Sequence, residues 1–105
     1  MIHLIQLGYS LEEIAKKYNS NYDVFRRWLK KVLGMNYSTA KDEYFWKPKI
    51  LSLIKTYYPI PNVAKIAEIF NVPYPTVQGA IKRIWKNELE TLGSIRALLE
   101  FLREN

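Results

Sequence analysis

The hydrophobic and polar positions of this chain follow a helical period along most of its length. Between Ser10 and Gly34 the pattern predicts two helices, because apolar residues recur at three- and four-residue intervals on either side of an interruption at Asn19. Ser10 and Glu13 form a capping-box sequence before the first helix, and Asn21 is a cap for the second. The apolar positions of these two helices are Leu11, Ile14, Ala15, Tyr18, Phe25, Trp28, Leu29 and Val32.

The same pattern returns 52 residues further along the chain, where residues 63–84 align with residues 11–32 without a gap. Asn62 takes the place of the cap, and Pro75 lies in the first turn of the next helix, where its missing N–H does no harm. A chance match would not keep the apolar positions in phase, so the chain contains a duplicated helix–turn–helix unit. The identical pairs are Ile14 with Ile66, Ala15 with Ala67, Asn19 with Asn71, Tyr22 with Tyr74 and Lys30 with Lys82.

A short predicted helix precedes each pair, over residues 1–7 and 48–58. No segment has the alternating pattern of a strand, so the expected fold class is all-α. The aromatic residues of the linker are expected to pack the two units together. The predicted parts are a first unit at 1–34, a linker at 35–47, a second unit at 48–92 and a C-terminal amphipathic helix at 93–105.

The C-terminal helix has one apolar face, which needs a partner. Folding back on the core of the second unit is one interpretation, and pairing two chains in a homodimer is the other. The residues of that face are Ile95, Leu98, Leu99 and Leu102.

Charge is unevenly distributed. The 105 residues carry 16 Lys and Arg against 10 Asp and Glu, a formal net charge of +6. Residues 1–86 hold 14 basic and 6 acidic side chains, whereas residues 87–105 hold 2 and 4. The basic character therefore belongs to the two units, and a basic folded domain favours an anionic partner, most commonly nucleic acid.

The residue inventory argues against an enzyme, a metal site and a cofactor. The chain has no cysteine, a single histidine at His3, no Gly-rich phosphate loop and no paired nucleophile and base. Glu12 and Glu13 are explained by helix capping, and Glu88 and Glu90 diverge on a helix. No small-molecule ligand is evident. No apolar run approaches the roughly 18 residues of a membrane span, and no signal peptide is recognisable, so a cytoplasmic, nucleoid-associated protein is expected.

The second helix of each unit is where a DNA reader places its recognition surface. Opposite the predicted core, both helices combine a tyrosine near the start with cationic side chains further along. The candidate DNA-binding residues are Tyr22, Asp23, Arg26, Arg27, Lys30, Lys31, Tyr74, Pro75, Gln78, Gly79, Lys82, Arg83 and Lys86.

These side chains suit base edges and phosphates. Arg26 and Arg27 are suited to donate to guanine O6 and N7, and Gln78 is suited to pair with adenine N6 and N7. Asp23 could accept a hydrogen bond from cytosine N4. Gly79 removes a side chain and would let the helix approach a duplex closely.

Each candidate also has an ordinary structural interpretation. Asp23 and Arg27 are spaced for a surface ion pair, and Gly79 is equally suited to helix packing. Tyr22 and Tyr74 are equally suited to packing on neighbouring helices, and a basic helix face is often only solvated.

Two segments contain residues typical of known DNA-binding units. They are Gly8, Tyr9, Ser10, Ile14, Ala15, Phe25 and Trp28 in residues 4–31, and Ile66, Ala67, Thr76 and Val77 in residues 50–86. On these residues the first unit resembles the DNA-binding regions of resolvase- and mariner-type transposases, and the second is similar to Myb-like units. The resemblance implies a tandem of homeodomain-like helix-turn-helix units whose second helices read DNA, and Asn19 and Asn71 depart from it because such turns often have glycine. No catalytic domain accompanies these segments, so neither transposition nor recombination is implied.

The sequence therefore predicts a non-enzymatic protein that binds double-stranded DNA, as a small transcriptional regulator or an accessory protein of a mobile element or plasmid. The alternative is a protein-interaction module that docks a polymerase or recombinase through one helix-turn-helix face. The high aromatic content supports that alternative, because aromatic side chains anchor protein interfaces.

Overall fold

The computed structural model describes residues 1–104, and every regular element in that range is a helix. No β-strand occurs in those residues, so the all-α prediction is confirmed. The backbone divides into two compact units, the first from Met1 to Trp46 and the second beginning at Lys47. Each unit is described by itself.

The first unit consists of four short α-helices and a closing π-helical segment. Its elements are α1 (Ile2–Gln6), α2 (Leu11–Lys17), α3 (Tyr22–Leu33), α4 (Tyr37–Lys41) and the π segment (Asp42–Trp46).

The capping signals of the first unit act as the sequence predicts. The backbone N–H of Glu13 donates to Ser10 Oγ at 3.2 Å, and the Ser10 N–H donates to Glu13 Oε1 at 3.0 Å. Asn19 makes the turn at φ 53°, a left-handed conformation that asparagine tolerates. Asn21 Oδ1 then accepts from the N–H of Val24 at 2.9 Å, and Gly34 ends α3 at φ 72°.

The core of the first unit uses a different face of α3 from the one expected. Phe25 and Leu29 are buried and Leu33 is partly buried, but Trp28 is 46% exposed and Val32 is 54% exposed. Phe25, Leu29 and Leu33 are four residues apart and form the row along α3 that packs into the core. Trp28 and Val32 form the adjacent row, which is exposed. The predicted core places of Trp28 and Val32 are therefore wrong. The buried core is Ile5, Leu11, Ile14, Ala15, Phe25, Leu29 and Ala40.

The second unit also has five helical elements, and they make corresponding contacts. In both units the second helix packs on the third, the third contacts the fourth, and the fifth element contacts both the fourth and the first. The repeated architecture is thus larger than the helix pair found by alignment. Its elements are α5 (Lys47–Thr56), α6 (Val63–Phe70), α7 (Tyr74–Ile84), α8 (Lys86–Leu92) and α9 (Ile95–Glu104).

The turn of the second unit repeats the turn of the first. Asn62 Oδ1 accepts from the N–H of Lys65 at 2.8 Å, and Asn71 has φ 55°. Helix α7 starts after Pro73, which has extended backbone and no capping side chain. Equivalent asparagines therefore make equivalent turns.

Two boundaries differ from the expected ones. Residues 35–47, predicted as a linker, contain α4 and the π segment, because Asn36 Oδ1 caps a helix by accepting from the N–H of Thr39. Lys86 is predicted on the second helix of the second unit, but α7 ends at Ile84. The backbone of Trp85 leaves the helical region at φ −113°, ψ 38°, and its side chain is buried.

The C-terminal helix packs within the second unit. Ser94 Oγ accepts from the N–H of Ala97 at 3.2 Å, which caps α9 as the sequence indicates. Helix α9 contacts α5 and α8 and buries Leu98, Leu99 and Leu102, with Ile95 half-buried. This is the fold-back interpretation; pairing of two chains stays a prediction.

Candidate nucleic-acid interface

Helix α3 exposes all six residues proposed for it. No ion pair or hydrogen bond engages Arg26, Arg27 or Lys30 within residues 1–104, so their donors face solvent. The surface ion pair weighed for Asp23 and Arg27 is not formed there. The exposed residues are Tyr22, Asp23, Arg26, Arg27, Lys30 and Lys31.

The size of α3 fits a major groove. An α-helix with its side chains is about 10–12 Å in diameter, and the B-DNA major groove is about 12 Å wide. Lys30 and Lys31 occupy the last turn of α3, where cations also complement the helix dipole. Arg26 and Arg27 lie in the middle of the helix, where that local role is weaker.

Helix α7 presents a corresponding surface, with three exceptions at Gln78, Gly79 and Lys86. Tyr74, Pro75, Lys82 and Arg83 are exposed, while Gln78 and Gly79 are half-buried. Lys86 is exposed as well, but it follows the break at Trp85 and begins α8. The predicted place of Lys86 on the recognition helix is therefore wrong.

Tyr22 and Tyr74 do not become core residues. Each is 45% exposed at the first position of its helix, α3 and α7 respectively. Each tyrosine is therefore partly accessible to a partner at equivalent points of the two units.

Gly79 faces the side chain of Arg83 and no other helix. A Cβ at Gly79 would lie 3.0 Å from an Nη atom of Arg83, and no other side chain or neighbouring helix in the described residues comes within 4 Å. The helix-packing interpretation of Gly79 therefore finds no partner. At Gly79 the surface of α7 therefore has a shallow depression, and the nearest side chain to it is the guanidinium of Arg83.

No family model, curated protein or solved structure matches this chain. No helix among the described residues is both long enough and apolar enough to cross a bilayer. Those residues also contain no group of three or more His, Cys, Asp or Glu side chains arranged to hold a metal ion.

An aromatic cluster with two exposed rings is the feature of the first unit that sequence reasoning missed. The exposed rings of Tyr18 and Trp28 pack on the buried ring of Phe25, at 5.5 Å and 5.4 Å between centroids, and lie 6.5 Å from each other. Val24 and Val32 extend this apolar surface along α3. We call the four exposed residues, Tyr18, Val24, Trp28 and Val32, the aromatic face.

The repeat contains a signal that would have revealed the aromatic face. Position 28 aligns with Ala80, which is fully buried in the second unit. A tryptophan cannot fill the space of a buried alanine, so one of the two units had to differ at this position. In the first unit the larger side chain lies at the surface.

Proposed function

We propose that this protein is a non-enzymatic double-stranded DNA-binding protein that uses α3 and α7 as recognition helices in major grooves. The observation that carries the proposal is the recurrence of one arrangement in both units. In each, an asparagine with positive φ makes a turn into a helix whose outer face is exposed and cationic. Recurrence at equivalent positions favours a binding surface over an ordinary solvated helix face.

The side chains divide into two kinds of contact. Lys30, Lys31 and Lys82 are suited to phosphates, because an ammonium is a compact cation without directional preference. Arg26 and Arg27 have the planar donors that pair with guanine, and Gln78 has the amide that pairs with adenine. Gly79 leaves room for the backbone of α7 to approach a base edge.

The proposed biological role is that of a small transcriptional regulator or an accessory protein of a mobile element or plasmid. The likeness of residues 4–31 and 50–86 to tandem homeodomain-like units supports this role. The proposal includes a cytoplasmic protein associated with the nucleoid.

Selection of bound duplexes from a random pool, followed by gel-shift measurement, tests the proposal. We expect the wild-type chain to retain duplexes at low salt, and Arg27→Glu combined with Lys82→Glu to abolish retention without loss of helical circular dichroism. Lys55→Glu is the matched control for charge reversal, because Lys55 is exposed on α5 and lies off both recognition helices. Failure of the wild-type chain to retain any duplex at low salt would contradict the proposal.

The aromatic face supports a second candidate function, a docking surface for a protein such as a polymerase or recombinase. Trp28 and Tyr18 expose nearly half of their surface beside two exposed valines, and tryptophan and tyrosine are enriched at interface hot spots. Trp28→Ser should abolish binding of a partner whose capture survives nuclease and high salt. Arg27→Glu should leave that binding intact, because the contact is apolar.

A further inference from the structure

The second unit contains an open groove of about 820 Å³ beside the start of α7. Its floor and walls come from the segment before α6, the first turn of α6 and one face of α9. The apolar side chains that line it include Ile60, Val63, Ile95 and Leu99, with the rings of Tyr58 and Tyr74 at its edge. Its volume falls in the range of about 300–1,000 Å³ that is typical of small-molecule sites.

Two arginines give this apolar groove a positive rim. Arg103 is held in place, because its Nη1 donates to the carbonyl of Tyr57 at 3.1 Å and its guanidinium lies 5.3 Å from the ring centroid of Tyr58. A guanidinium has five N–H donors, so this hydrogen bond leaves others available to a ligand. Arg103 is thus oriented without being neutralised.

The second arginine is only loosely engaged. Arg96 Nε lies 3.7 Å from Glu100 Oε1, and both side chains are exposed. Such a surface pair contributes little energy and exchanges easily for a better anion. Arg96, Arg103 and Glu100 are the charged side chains of the lining, so the groove carries a net positive charge.

We propose that this groove binds a small organic anion, a carboxylate, sulfonate or phosphate on an aromatic or branched aliphatic body. The apolar walls would take the body, and Arg103 and Arg96 would take the anionic group through charge-assisted hydrogen bonds. The proposal does not depend on DNA binding.

A matched pair of fluorescent probes tests the proposal on the full chain. 1-Anilinonaphthalene-8-sulfonate is the anionic probe, and N-phenyl-1-naphthylamine has the same rings without the sulfonate. We expect the wild-type chain to bind the anionic probe about tenfold more tightly than the neutral one, because a charge-assisted hydrogen bond is added. Arg103→Gln combined with Arg96→Gln should remove that difference and leave binding of the neutral probe unchanged.

A blocking variant locates the site without altering the core. Ala64 is exposed and lines the groove, so Ala64→Phe fills it with a ring and should weaken both probes at least about tenfold. Ser52→Phe adds the same ring at an exposed position of α5 and should leave the affinity for both probes unchanged. Trp28→Ser should also change nothing, which separates the groove from the aromatic face.

Two results would overturn the proposal. One is equal affinity for the two probes in the wild-type chain, which would make the groove an apolar surface without anion preference. The other is binding that survives Ala64→Phe but is lost with Trp28→Ser, which would place the probe on the aromatic face.

Discussion

Asn19 and Asn71 have nearly the same backbone conformation, φ 53° and φ 55°, at the same position of two turns. A side chain with a Cβ is strained in this region, and asparagine is among the few residues that adopt it readily. Each asparagine therefore contributes to the turn that leads into a proposed recognition helix, α3 in one unit and α7 in the other.

Replacement of Asn71 tests that dependence. We expect Asn71→Ala to destabilise the chain by about 1 kcal/mol, since alanine adopts the left-handed conformation less readily than asparagine. Asn71→Gly should retain or raise stability, because glycine adopts positive φ without a Cβ. Urea unfolding followed by circular dichroism measures both, and equal effects of the two variants would contradict the explanation.

Tyr37 couples α4 to the loop before α2. Its hydroxyl donates to the carbonyl of Tyr9, and burial raises the pKa of Tyr37 above its ordinary value. Between the unfolded and the folded pKa of Tyr37, the folded protein therefore keeps the hydroxyl proton that the unfolded chain has released. The stability from this group is complete below the unfolded pKa of about 10 and decreases as the pH rises above it.

Tyr37→Phe should therefore have two effects. At neutral pH it should cost about 1 kcal/mol, because the Tyr9 carbonyl loses its donor. Above pH ~10 it should remove part of the alkaline loss of stability, since the ionisable hydroxyl is gone. Tyr22→Phe is the control for the neutral-pH effect, because Tyr22 is 45% exposed and its hydroxyl makes no hydrogen bond within residues 1–104, so stability there should not change.

At the scale of the helices, local signals in the sequence predict where elements begin and end. Ser10, Asn21, Asn62 and Ser94 each place a side-chain oxygen against a backbone N–H three residues later, so the helix starts follow directly from residue type. The end of α7 at Trp85 could not be found this way. At that break the indole of Trp85 is buried, and no capping residue or helix-breaking residue in the sequence marks the position.

The choice of core face on α3 was beyond the same reasoning. Phe25, Trp28, Leu29 and Val32 all fit an apolar stripe of helical period, and the sequence does not say which edge of the stripe meets the neighbouring helices. The helices that pack on α3 determine which edge is buried, and one of them, α4, lies in the segment predicted as a linker. Its buried residue Ala40 joins the core beside Phe25 and Leu29, leaving Trp28 at the surface.

Gly79 lies within α7, where glycine lowers helix stability but would allow close approach to DNA under the proposed function. Gly79→Ala should stabilise the helix by about 0.5–1 kcal/mol, provided that the end of the Arg83 side chain shifts by a few tenths of an ångström. DNA affinity should fall if the backbone of α7 approaches the duplex at this point. Ser52→Ala on exposed α5 is the matched control and should leave DNA affinity unchanged. Unaltered DNA binding by Gly79→Ala would show that Gly79 makes no close approach.

At the scale of the whole chain, the candidate interface was predictable and the groove was not. The cationic residues are exposed because they lie opposite the apolar face of the same helix. Both faces can be recognised in the sequence, since their residues are only a few positions apart. The groove joins side chains as far apart as Tyr58 and Arg103. No sequence period relates those positions, since only the packing of α9 on α5 brings them together.

Both units contribute to one binding event under the proposed function, and salt dependence tests this. Neutralisation of roughly 5–8 phosphates would give log K against log[salt] a slope of about −4 to −7. Lys30→Glu and Lys82→Glu should each make the slope less steep by about 1 or more, because each removes a phosphate-binding cation from the equivalent position of a different unit. In the double variant the two changes should add, whereas Lys55→Glu should leave the slope almost unchanged. If Lys82→Glu leaves the slope unchanged while Lys30→Glu makes it less steep, only the first unit contacts DNA, and the cationic face of α7 is a solvated surface.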